Sequence, residues 1–196
     1  LDIGCHPGGW TQVAVEEVGE DGYVIGVDLL STSPVEGATI IIGDITNPKT
    51  VEQINQELEG YYLNCVISDI SPRLTGRYDT DQAISLELST MVLDAAMPIL
   101  NPGGSFVTKI FQGVGIEGLI EAAKMRFSSG QRFAPTASRS SSSETYLVCR
   151  NKLPKIRKEA EGRTAYEHLK DHLKKLDIVV DYEEEKDNTD TIIGYR

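Results

Sequence analysis

Basic side chains are nearly missing from the first part of this 196-residue chain: residues 1–72 hold twelve Asp and Glu but a single Lys or Arg, Lys49. With a formal net charge of −11, the sequence excludes a protein that coats nucleic acid along its whole surface. Cations return in residues 73–150, where eight basic residues accompany seven acidic ones, so any positive face must be local. Cysteine is scarce as well. Cys5, Cys65 and Cys149 stand far apart without a C-x-x-C pair, which argues against a disulfide framework and suits buried thiols in a reducing compartment. Of the three histidines, His168 and His172 lie four apart on a predicted helix without a third ligand close in sequence, so no metal is expected. No apolar run approaches the ~20 residues of a membrane-spanning helix, and no membrane role is expected.

One further absence is informative. The nicotinamide fingerprint G-x-G-x-x-G does not occur at the opening, where Gly4 is followed by Cys5, His6 and Pro7. What stands there instead is LDIGCHPGGW, a strand end, a glycine-rich turn and a helix start. Gly8 and Gly9 allow close backbone approach to a ligand, and the helix start offers unpaired N–H groups. The next apolar run, YVIGVD, ends in Asp28, placed to accept hydrogen bonds from a ribose. Together they predict a site for an adenosine-containing cofactor that lacks a pyrophosphate. The first strand opens abruptly at Leu1, which reads as the start of a fragment.

Strand and helix patterns then alternate. Strands are predicted over residues 23–27, 38–42, 63–68, 105–110 and 145–149, with a weak one starting at 132–134. Helices are predicted over 11–18, 48–58, 81–100, 115–127 and 157–176, with a possible hairpin of 178–182 and 191–195 in the tail. The alternation implies a mostly parallel sheet covered by helices. Ligands bind such sheets outside the carboxyl ends of the strands, where Asp28, Asp44, Asp69 and Lys109 all fall. The loop of residues 71–77 adds Arg73 and Arg77 as phosphate contacts, opposed by Asp79 and Asp81. The tail carries Tyr166, Leu169, Leu173 and Leu176 as a narrow apolar stripe, suited to covering the domain's own core or a partner.

The segments LDIGCHPGGW, VDLL, GDI, VISDISPRLTG, LNPGGSFVTKIFQG and SRSSSSETYLV, in this order, resemble the FtsJ/RrmJ family of ribose 2′-O-methyltransferases over residues 1–150. The resemblance implies a Rossmann-like class I methyltransferase fold: α/β, with a mostly parallel seven-stranded sheet, one antiparallel edge strand and helices on both faces. Residues 1–150 would form the methyltransferase domain, with its N-terminal segment missing, and 151–196 a helix-and-hairpin extension. The implied cofactor is S-adenosyl-L-methionine, contacted by Gly8, Trp10, Asp28, Asp44 and Asp69. Three members of the family's Lys-Asp-Lys-Glu set fall on Asp69, Lys109 and Glu144. The remaining lysine belongs to a helix ahead of the first strand and has no counterpart in this sequence, so reduced turnover is expected of the chain. Arg73, Arg77 and Arg139 are candidate RNA contacts; Ser140–Ser143 stand where relatives often carry another arginine. The implied reaction is methylation of a ribose 2′-hydroxyl, on a uridine of large-subunit (23S) ribosomal RNA, in the cytoplasm. Two alternatives stay open: the same chemistry on tRNA or an mRNA cap, and a non-catalytic RNA-binding or ribosome-assembly protein. Oligomeric state is not legible.

Overall fold

Strands that are buried on both sides need apolar residues throughout, whereas a strand with one open face alternates. Both kinds occur here, and together they show which parts of the sheet the helices cover. The computed structural model describes residues 1–135 and 143–178. In chain order its elements are β1 (Asp2–Ile3), α1 (Gly9–Val18), β2 (Val24–Asp28), β3 (Ala38–Ile42), α2 (Pro48–Glu57), β4 (Leu63–Ser68), α3 (Tyr78–Ala96), β5 (Leu100–Phe111), α4 (Ile116–Lys124), β6 (Phe127–Phe133), β7 (Glu144–Lys152), a 3-10 turn at Lys158–Ala160, and α5 (Ala165–Lys175). They build a seven-stranded sheet in the order β3-β2-β1-β4-β5-β7-β6. The strands from β3 to β5 pair in parallel. β7 runs antiparallel to both β5 and β6, one place in from the edge that β6 forms.

β2, VIGVD, is buried at every position. β5 alternates instead: Phe106, Thr108 and Ile110 are inaccessible, while Val107 and Lys109 are half-buried. The covered face meets α3, which is tied to the strand by Ser89 Oγ donating to the Lys109 carbonyl (3.0 Å) and by the Phe111 amide donating to Ser85 Oγ (3.3 Å). Across that core Phe106 and Phe127 pack with ring centroids 6.4 Å apart. The opposite face of β4, β5 and β7 is more open: Cys65 is exposed, and Ile67, Val107, Tyr146 and Val148 are half-buried.

Of the boundaries that differ from the sequence expectation, three have a clear local cause. The helix expected to reach residue 100 ends at Ala96, with Met97 still helical as its cap, because Pro98 has no amide to continue the helical ladder, and Leu100 already pairs with Leu63 in the sheet. β6 begins at Phe127, five residues before its expected start. Its Ser-Ser-Gly stretch looks like a loop in sequence, but the ladder to β7 holds it as an edge strand. The helix expected over 157–176 splits at Gly162, whose φ of +74° favours glycine. α5 then starts afresh at Thr164 through a capping box: the Glu167 amide donates to Thr164 Oγ1 (3.0 Å), and the Thr164 amide donates to Glu167 Oε2 (2.9 Å). Asp94 of α3 reinforces that start by accepting from the Ala165 and Tyr166 amides at 2.6 and 3.0 Å. Leu169 and Leu173 thereby join the main core. The hairpin expected in the tail lies outside the described residues, apart from Ile178. Arg126, one of the cations counted toward a local positive face, is 1% exposed. Its guanidinium donates to the Ala122 and Arg163 carbonyls at 2.8 and 2.7 Å, so it braces the core instead of meeting a ligand.

Candidate active site

The parallel strands end along one rim, and the chain turns there at each functional position. After β1 the Gly4 amide donates to the Val27 carbonyl (2.8 Å), tying the turn to β2. Gly8 sits at φ +115°, where a Cβ would also press on Val35 at 3.2 Å; a Cβ on Gly9 would meet nothing within 4 Å. α1 then starts without a side-chain cap, so its first amides are left for solvent or a ligand. This is the approachable turn that the sequence predicts.

Asp28 ends β2 and is 7% exposed. Its two oxygens accept from the His6 amide (2.9 Å) and the Leu30 amide (2.8 Å). A carboxylate has about four lone-pair sites, so these bonds fix the group and leave each oxygen able to accept once more. Asp44 follows β3, and Oδ1 takes both Thr46 bonds, from the amide at 2.8 Å and the hydroxyl at 2.7 Å. Gly4, Asp28, Gly43 and Ile70 line a small depression between these strand ends. A larger cleft of about 1220 Å³ lies beside α1, bordered by Val13, Tyr23, Tyr61 and Cys65. None of the strand-end carboxylates lines it, so volume does not mark the chemistry here; the converging polar groups do.

At the centre of the rim Lys109 meets two carboxylates. Its Nζ lies 2.6 Å from Asp69 Oδ1 and 3.6 Å from Glu144 Oε1. The register explains the cluster. Ser68 pairs with Thr108, so Asp69 emerges beside Lys109. Across the antiparallel ladder Lys109 faces Tyr146, and Phe111 faces Glu144, which puts Glu144 diagonal to Lys109 on one face. The lysine side chain is 12% exposed, against 36% and 43% for Asp69 and Glu144. Burial pushes the ammonium pKa down, but the hydrogen bond and charge of Asp69, with the charges of Glu144 and Tyr146, outweigh burial and hold it above the ordinary lysine value. Burial, then the charges of Asp69 and Glu144, raise the Tyr146 phenol.

Two residues of this neighbourhood were not singled out from sequence. Tyr146 stacks on Trp10 with centroids 5.9 Å apart and planes at 28°, so Trp10 reaches β7 beside the residue that faces Lys109. The strand period placed Tyr146 on the face of Glu144, which was the available signal. Asp2 is inaccessible; Oδ2 accepts from Thr11 Oγ1 at 2.7 Å, and Oδ1 has no partner among the described residues. Burial pushes its carboxyl up to about 6. Of the expected RNA contacts, Arg73 and Arg77 are exposed on the loop after β4, while Arg139 lies outside the described residues. Among those residues no group of His, Cys, Asp and Glu forms a metal cluster, and no helix is long and apolar enough to cross a membrane.

Comparison with known proteins agrees with this geometry. Ribosomal RNA large subunit methyltransferase E of Methanothrix thermoacetophila is 46% identical over 148 residues, covering 76% of this chain and 57% of that protein. The protein of the same name from Francisella philomiragia is 38% identical, covering 76% of this chain and 72% of its own length. The chain thus spans little more than half of the first relative. Among solved structures, a crystal structure described as a ribosomal RNA methyltransferase from Plasmodium falciparum superposes with a TM-score of 0.71 at 25% identity, covering 79% of this chain and 86% of that one. The sheet is that of the class I methyltransferases. Residues 1–152 match the profile of the FtsJ-like methyltransferases, and the chain belongs to that family.

Proposed function

We propose that this protein transfers a methyl group from S-adenosylmethionine to a ribose 2′-hydroxyl, on a uridine of large-subunit ribosomal RNA. The observation that carries the reading is the Asp69–Lys109–Glu144 cluster, set on the same rim as the Gly8 turn, Asp28 and Asp44. Relatives named for ribosomal RNA methylation support the substrate class. The residues fit the cofactor: Asp28 is pre-aimed with spare acceptor sites for ribose hydroxyls, Asp44 stands at the next strand end for an adenine amino group, and the backbone at Gly8 and Gly9 leaves room for close approach. When bound, S-adenosylmethionine supplies an electrophilic methyl on a sulfonium.

The chain's own contribution is to hold a ribose hydroxyl in line and to manage its proton. Lys109 is the group placed to do so. With two carboxylates beside it the resting lysine is an ammonium, which orients the hydroxyl oxygen by donating to it. Acting as a base requires that Lys109 first give up a proton to solvent, against the pull of the two carboxylates. Asp69 and Glu144 keep the side chain aimed. Trp10 and Tyr146 wall the site on the α1 side.

Intact large ribosomal subunits, free ribosomal RNA, tRNA and capped mRNA, each incubated with methyl-labelled cofactor, test the assignment. Label confined to a ribose of large-subunit RNA is expected; label on tRNA or on a cap moves the substrate, and label on none removes the enzyme reading.

A further inference from the structure

The loop after Asp69 is more ordered than its exposure suggests. Asp81, in the first turns of α3 and almost fully buried, reaches back over it: Oδ1 accepts from the Thr75 amide (2.8 Å) and hydroxyl (2.7 Å), and Oδ2 from the Gly76 amide (3.2 Å). These bonds, the Thr75 amide's foremost, hold the Asp81 carboxyl below its ordinary value. The Arg77 amide adds a bond to Thr75 Oγ1 at 3.2 Å. Sequence reasoning read Asp81 only as a charge opposing Arg73 and Arg77; the structure uses that charge to fix the loop that carries them.

Immediately after this clamp comes Tyr78. Its hydroxyl donates to the Gln112 carbonyl at 2.5 Å, yet 51% of the residue is exposed. Gln112 lies one residue beyond the Phe111–Glu144 pair, and its own amide donates to the Ser143 carbonyl at 2.7 Å. Gln82 ties the same β5–α4 turn by donating to the Val114 carbonyl (3.1 Å). The tyrosine is therefore pinned at its hydroxyl to the backbone beside the catalytic cluster, with ring surface left bare. Leu74, 68% exposed, and the two arginines complete the loop's outer face. A lone exposed aromatic needs no explanation; one anchored by its polar tip, directly after Arg77 in the chain and next to the reacting rim, has the form of a stacking platform.

We propose that Tyr78 stacks on a base of the RNA strand next to the methylated nucleotide, with Arg73 and Arg77 gripping the flanking phosphates and Asp81 holding the loop in place. This deepens, and rests on, the RNA methyltransferase reading above. Stacking is insensitive to the negative charge of neighbouring Asp79, which a purely electrostatic clamp would have to overcome, and it accepts any base.

The test uses the whole chain and two fluorescein-labelled strands of about 12 nucleotides, an oligouridylate and its abasic counterpart with the same phosphates. Tyr78→Ala should weaken oligouridylate binding about 5- to 100-fold and leave the abasic strand and cofactor affinity unchanged. Tyr78→Phe, which keeps the ring and loses only the anchor, should stay within about 3-fold of the parent. Arg73→Ala with Arg77→Ala should weaken both strands. Equal loss on both strands for Tyr78→Ala, or no loss on either, overturns the stacking role alone. A parent protein that binds neither strand and methylates no RNA overturns the underlying reading instead.

Discussion

A lysine held between two carboxylates gives up its proton reluctantly, and that sets the pH behaviour of this site. With a folded pKa above 10.5, the attraction to Asp69 and Glu144 is fully present below the unfolded value and is lost as pH rises through the folded one. If the neutral amine takes the hydroxyl proton, single-turnover methyl transfer should climb with pH from neutral up to that point. Lys109→Ala should then keep the fold and cofactor affinity while slowing single turnover by about 10²–10⁴-fold. Lys109→Arg should not rescue it, because a guanidinium stays protonated; activity in the arginine variant at neutral pH would reduce Lys109 to a placed charge. Asp2 works in the opposite sense to a paired carboxylate. Its folded pKa of about 6 exceeds the unfolded 3.8, so the native state is favoured at low pH and loses stability as pH rises between the two values. Asp2→Asn removes that titration. Its stability relative to the parent, read from urea midpoints, should grow by roughly 1–3 kcal/mol between pH 4 and 7. A gap that does not change with pH would show that Asp2 is not buried against charge. Much of this scale was legible in the sequence only in part. Asp28, Asp69 and Lys109 announce themselves as polar residues closing apolar strands. Glu144 needed the family resemblance, because its neighbour Lys109 is 35 residues away in sequence and the register that joins them is a non-local fact. Asp2, Tyr146 and Tyr78 depend on the same kind of register and were missed.

Elements were legible where one period dominated. The bounds expected for residues 38–42 and 63–68 are those of β3 and β4, since short runs of branched apolar residues between turn signals have few other solutions. They were misread where local chemistry competes with pattern: at Pro98, at the polar β6, and at Gly162. α5 shows what such local signals achieve. Thr164, Glu167 and Asp94 together satisfy its first amides, and this seats Leu169 and Leu173 against α3 and α4. Thr164→Ala should cost about 1 kcal/mol and Leu169→Ala about 2–5 kcal/mol in urea unfolding. Unchanged midpoints in the leucine variant would mean that α5 is peripheral to the fold.

For the whole molecule, the acidic composition leaves one small region where the proposed RNA substrate would find exposed cations. Two exposed arginines on the loop after β4 imply a weak salt dependence, with log K falling at a slope of about −1 to −2 against log salt. A steeper slope would require cations beyond Arg73 and Arg77. Cofactor binding, by contrast, should be felt throughout the fold. At a hundredfold excess over its dissociation constant, S-adenosylmethionine should add about 2.7 kcal/mol to stability, and Asp28→Ala should lose most of that gain. An equal gain in the variant would remove Asp28 from the site.

The position of β7 has a consequence for the order in which the molecule can be made. Among the described residues it is the last strand of the sheet, yet it belongs between two strands synthesised earlier. Until it arrives, β5 is an edge strand and β6 has no partner in the sheet, so both carry a row of unpaired amides and carbonyls open to any passing strand. Synthesis thus carries a sticky intermediate almost to the end of the domain, and the strand that closes it also delivers Glu144 to Lys109. Completion of the sheet and assembly of the Asp69–Lys109–Glu144 cluster are one event, so a chain stalled before residue 144 should lack the proposed site and be primed to aggregate.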